Sequence, residues 1–100
     1  MPMTVAITRN VSGRMRGFLA SCMLEVAPGV YTSPRMSRAV RERVEGVVRE
    51  WFPAEQDASV LLLWVDGTRP EGQGIAVFGS PPYRLVEYDG MILSCLDRQA

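Results

Sequence analysis

Histidine and lysine are both missing from this chain of 100 residues. Without an imidazole, every nucleophilic triad or general-base scheme that rests on histidine is excluded, and so are most zinc sites. The lack of lysine leaves arginine as the only basic side chain, which genomic base composition explains most simply. Cysteine is scarce: Cys22 and Cys95 lie in apolar runs without metal-ligand spacing and are expected to be reduced core residues. No apolar run approaches the ~20 residues of a membrane span, and residues 1 to 8 do not read as a signal peptide. A cytoplasmic protein without membrane contact is therefore expected. Glycine-rich phosphate loops are lacking too, since Gly67, Gly72, Gly74 and Gly79 cluster around a connector and a strand and read as turn and bulge residues.

What is present fits one domain, residues 1 to 100. Hydrophobic residues make up 47% of it, more than so short a chain can readily bury alone, so the core is expected to be completed by a homodimer. Net charge is zero, which argues against a generic polyanion binder, yet the charge is unevenly placed. Residues 1 to 41 hold Arg9, Arg14, Arg16, Arg35, Arg38 and Arg41 against Glu25 alone, while the remainder is acidic. A basic face for phosphates and an acidic face for a partner are compatible with that division.

Met3 to Thr8 reads as a buried strand running into a loop. Met15, Phe18, Leu19, Cys22, Met23 and Val26 recur at helical spacing, which predicts a helix capped by Asn10 or Ser12 and ended by Pro28-Gly29. A short strand follows at Val30 to Thr32, and Ser33-Pro34 reads as the opening of a second helix with an apolar stripe from Met36 to Trp51. Its other face, Arg38, Arg41, Glu42, Glu45 and Arg49, mixes charges and reads as solvated. Ser59 to Asp66 is a nearly unbroken apolar strand of a sheet covered on both sides. Ile75 to Phe78 is a further strand, and Asp89-Gly90 is the turn of a hairpin joining Leu85–Tyr88 to Met91–Cys95. This order builds a ferredoxin-like α+β sandwich: two helices on one face of a mainly antiparallel sheet, with the other face closed by sheet packing in a homodimer.

The sharpest chemical feature is Arg9 to Arg16 (RNVSGRMR), three guanidinium groups around the amino end of a helix, where unpaired backbone N–H groups and the dipole favour an anion. It reads as a phosphate cradle. The acids Glu25, Asp66, Glu87 and Asp89 are not placed by local spacing to share a hard cation, so no metal site and no cofactor are expected.

The stretch RMRGFLASCMLEVAPGVYTS, Arg14 to Ser33, resembles the small second adaptation protein of CRISPR systems, subtype I-E. So do the first strand running into Thr8 and Asn10, Trp64 ending the central strand, Phe78-Gly79, and Asp89-Gly90 before the final strand. The resemblance implies a ferredoxin-like homodimer in complex with the CRISPR integrase, its companion adaptation protein, holding a double-stranded DNA by its backbone during spacer acquisition for antiviral defence. By that resemblance Arg14 and Arg16 match the family's DNA-backbone arginines and Asn10 the loop before them. In the loop after Phe78-Gly79 only Arg84 stands for the family's basic residues, and Met91 to Leu96 matches the region that docks onto the integrase.

The family is also labelled a metal-dependent endoribonuclease, whose metal is held by an acidic residue at the end of the first strand. Here that position is Arg9, which cannot ligate magnesium and offers a phosphate contact instead. The expectation is a non-catalytic scaffold with Arg9, Asn10, Arg14, Arg16 and Arg84 on the nucleic acid. The alternatives are a magnesium-dependent nuclease of RNA or double-stranded DNA, and a toxin-like or ligand-regulated domain, since this fold hosts unrelated functions.

Overall fold

The computed structural model describes residues 3–79 and 83–96, without the side chains of Tyr83, Arg84 and Leu96. The chain is α+β. Strand β1, Thr4–Arg9, leads into helix α1, Gly13–Cys22, followed by strands β2, Leu24–Ala27, and β3, Val30–Ser33. Helix α2, Arg38–Trp51, continues into a single 3₁₀ turn, Phe52–Ala54, and then into β4, Ser59–Val65, and β5, Gln73–Gly79. Five strands form one sheet in the order β2-β3-β1-β4-β5, every pair of neighbours antiparallel. The last two strands, β6, Tyr83–Tyr88, and β7, Met91–Leu96, pair with each other as a separate two-stranded sheet.

The period-two alternation of the central strands decides which side chains meet. On one face, Ala6 of β1 stands between Tyr31 of β3 and Leu62 of β4 in the ladder. These three join Met15 and Leu19 of α1 and Val44 and Val48 of α2 in a single core. Both helices thus cover the same face, as expected.

The opposite face is apolar, and among the described residues no helix covers it. Val5 and Ile7 sit in register with Leu63 and Leu61, which in turn face Ile75 and Val77 on β5. Ile7, Val65 and Val77 are exposed, as are Leu24 and Val26 at the far edge.

Three local readings of the sequence are corrected. Helix α1 does not run to Val26: Met23 is extended (φ −140°, ψ 163°) and Leu24–Ala27 is a strand paired with β3. The helical spacing fails there because Met23 already has extended geometry and Val26 is an exposed sheet residue rather than part of a core stripe. The second helix is opened by Ser37, not Ser33, its hydroxyl accepting the N–H of Val40 at 3.2 Å, while Ser33 ends β3. The cysteines are not core residues, since Cys22 is exposed at the end of α1 and Cys95 is half-buried on β7. Asp89-Gly90 does form the hairpin turn, with φ of 53° and 79° as a two-residue primed turn requires. Among the described residues no helix is long and apolar enough to cross a membrane.

Candidate nucleic-acid interface

Two loops meet at the start of α1. Ser12 caps the helix, its Oγ accepting the N–H of Met15 at 3.2 Å. Asn10 instead adopts a left-handed conformation (φ 56°), which a short amide side chain tolerates, and its Nδ2 donates to the carbonyls of Asp57 at 2.9 Å and Gln56 at 3.4 Å. From the same second loop, Glu55 accepts the backbone N–H and the hydroxyl of Ser12, both at 2.6 Å. A carboxylate of the chain itself therefore occupies the helix N-terminus that the sequence offers as a phosphate cradle, and it completes the cap of an otherwise exposed helix end.

The three arginines around this point diverge instead of converging. Arg9, at the end of β1, has Asp57 at 4.0 Å. Arg14 sets its guanidinium carbon 3.9 Å from the centroid of the Trp51 ring at the end of α2. Arg16 lines a groove of about 700 Å³ with Thr8, Asn10, Glu25 and Gly29 on the β2–β3 side. Arg14 and Arg16 thus flank α1 on opposite sides, both exposed. Between them the ridge of the helix is small: Gly13, Gly17 and Ala20 are exposed, and a Cβ at either glycine would meet no atom within 4 Å. Arg84 lies on β6 opposite Cys95, and its side chain is outside the described residues.

The groove is built on a tight β2–β3 turn. Gly29 has φ 76° and its carbonyl accepts both the backbone N–H of Thr8 at 2.7 Å and the Thr8 hydroxyl at 3.0 Å. Its own N–H donates to Glu25 at 3.0 Å. Behind the groove the ring of Tyr31 is fully buried, and among the described residues its hydroxyl has no hydrogen-bond partner. Burial pushes that phenol above its ordinary pKa; the Glu25 carboxylate adds to the rise and Arg16 opposes it.

Metal-ligating geometry is not assembled among the described residues, where no three His, Cys, Asp or Glu side chains come together. Glu25 is engaged as above. Asp66 accepts from the N–H and hydroxyl of Thr68 at 3.0 and 2.6 Å and from Arg69 at 3.2 Å, and the Thr68 hydrogen bonds hold its carboxyl below the ordinary range. Glu87 accepts from Gly90 at 3.4 Å within the hairpin turn. At the end of β1 the residues do not fit a divalent cation, because the Arg9 guanidinium stands there and carries positive charge toward Asp57.

The mixed-charge face of α2 forms the expected i,i+4 pairs, Arg38–Glu42, Arg41–Glu45 and Arg49–Glu45. It is not simply solvated, however. The Arg41 side chain is only 13% exposed and lies over the Trp64 ring at 3.9 Å, closing one wall of a second cavity of about 460 Å³ against Asp66 and Arg69.

What sequence reasoning missed is the second loop. Glu55 and Asp57 come from beyond α2, and only the antiparallel β1–β4 pairing, which sets Arg9 opposite Ser59, brings them to α1. No local spacing signals that approach. Against known families, residues 3–93 match the model of a CRISPR-associated protein, Cas_Cas2CT1978.

Proposed function

Since the chain belongs to this CRISPR-associated protein family, we propose that it is the scaffold subunit of a spacer-acquisition complex of subtype I-E type, holding double-stranded DNA by its backbone while a partner integrase performs strand transfer. The observation that carries this reading is the pair Arg14 and Arg16 on either flank of the small Gly13-Gly17 ridge. A helix whose outward ridge carries nothing larger than a methyl group lets a phosphate backbone approach closely, and two flanking guanidiniums supply bidentate contacts without base readout. The βαββαβ succession with central order β2-β3-β1-β4 supports a ferredoxin-like fold.

The open apolar face, with Val5, Ile7, Leu61, Leu63, Ile75 and Val77 in two rows of the ladder, supports a homodimer formed by sheet packing. Such a dimer places two copies of the α1 ridge on one assembly, which suits a duplex longer than one protomer spans. The separate β6–β7 sheet, with Tyr88, Met91 and Leu93 exposed, is the element offered to the integrase.

Duplex binding measured by fluorescence anisotropy across a salt series tests the assignment. The double charge reversal R14E/R16E is expected to abolish binding without changing the melting transition. Single neutralisations should each lower the slope of log affinity against log salt by about one. Undiminished binding by R14E/R16E overturns the assignment.

A further inference from the structure

Arg14 and Trp51 are joined by more than proximity. Trp51, the last residue of α2, meets Phe18 of α1 edge-on, with ring centroids 5.3 Å apart and planes at 61°. The Arg14 guanidinium carbon sits 3.9 Å from the centroid of the same Trp51 ring. Residues 14 and 18 are one helical turn apart on α1, so a single indole is gripped by one helix at two successive positions. The ring is half-buried against the core, and its orientation is fixed by that packing.

The consequence concerns freedom and charge together. An unrestrained arginine loses much rotamer entropy when it is immobilised on a phosphate. A guanidinium already lying on an indole face has given up part of that freedom, and the attraction to the ring quadrupole holds it there. A carboxylate would also restrain the arginine, but it would cancel the charge a phosphate needs. Among the described residues no carboxylate pairs with Arg14, whereas Arg38, Arg41, Arg49 and Arg69 each have one. Trp51 therefore restrains Arg14 without neutralising it.

We propose that Trp51 is the positioning residue for Arg14 in duplex binding, holding the guanidinium ready for a phosphate through its ring face. This rests on the duplex-scaffold reading above and adds to it a residue with no charge and no contact of its own with the nucleic acid.

The test is a double-mutant cycle on duplex affinity and its salt slope, with W51A and W51F each made in the wild-type and R14A backgrounds. W51A is expected to weaken binding about three- to tenfold and to lower the salt slope toward that of R14A. W51F, which keeps a ring face, retains most of the affinity, and in R14A neither substitution has a further effect. If W51A disturbs folding, W51L decides: leucine keeps apolar volume without a quadrupole, so W51L must bind more weakly than W51F only when Arg14 is present. Equal losses with and without Arg14, or no loss at all, overturn the positioning role. If R14A and R14E/R16E themselves bind normally, it is the scaffold reading that fails, whereas a loss in R14A with none in W51A defeats the positioning role alone.

Discussion

Trp64 lies across Gly74, its partner in the β4–β5 ladder, so closely that a Cβ at position 74 would overlap the indole ring. The indole is part of the core and carries Arg41 on its face, so the glycine decides where both side chains rest. Gly74→Ala is expected to destabilise the fold by about 1–3 kcal/mol through overpacking and to shift the tryptophan emission. Thermal melting with fluorescence detection checks this, and an unchanged transition would show that the ring has room to move.

Gly46, in the middle of α2, is the opposite case. A Cβ there meets nothing within 4 Å, so Gly46→Ala removes the helix penalty of glycine with no steric cost. A gain of about 0.5–1 kcal/mol is expected, read as a melting temperature higher by roughly 2–8 °C.

At the start of α1 the Ser12 hydroxyl serves Met15 and Glu55 at once. Ser12→Ala should cost about 1 kcal/mol, the usual value of a lost cap. Glu55→Gln keeps the shape of the side chain but removes an anion from the helix end nearest Arg14, so duplex affinity is expected to rise about two- to threefold at low salt, an effect that fades as salt screens it. Anisotropy titrations at two salt concentrations distinguish this from a general change in folding.

Leu63 stands in the middle of the open sheet face, between Val5 and Ile75. If that face is the seat of a second copy, Leu63→Glu places a charge where no partner awaits it and converts dimer to monomer. Sedimentation analysis reads the mass directly. A dimer that persists in this variant places the contact elsewhere.

Tyr31 is fully buried, and among the described residues its hydroxyl has no hydrogen-bond partner. No hydrogen bond to that oxygen within the described residues would be broken, while Glu25 and Arg16 act on it with opposing charge, so Tyr31→Phe is expected to change stability by no more than about 1 kcal/mol. The pH dependence has a definite sign. The folded phenol is raised above its ordinary 10.0, so the folded state keeps a proton that the unfolded chain releases. Stability is full below pH 10.0 and falls as pH rises toward the folded value. Denaturant midpoints measured from pH 8 upward should decline more steeply in the wild type than in Tyr31→Phe.

The frame of the fold is legible where one residue type decides the outcome. β1 and β4 follow from apolar runs that stop at Arg9 and Asp66, and the final hairpin follows from Asp89-Gly90, whose positive φ values few other pairs accept. β2 is harder to see, because Met23 and Val26 continue the helical spacing of Phe18, Leu19 and Cys22. Only the alternation of apolar and polar residues in Leu-Glu-Val-Ala hints at a strand, and pairing with β3 decides it. The arginines of the candidate interface can likewise be picked out from sequence, but their companions cannot. Trp51 and Glu55 reach α1 only through the packing of α2 and the return of the chain into β4. Contacts between residues some forty positions apart leave no mark in local spacing.

Among the described residues, the ribbon of β6 and β7 shares no ladder with the larger sheet and contributes none of the residues of the helix-covered core. On the scaffold reading proposed above, substitutions in this ribbon would alter the contact with the integrase while leaving the core that positions Arg14 and Arg16 untouched. On the same reading, a lineage whose integrase drifts in sequence would have here a part to retune one residue at a time.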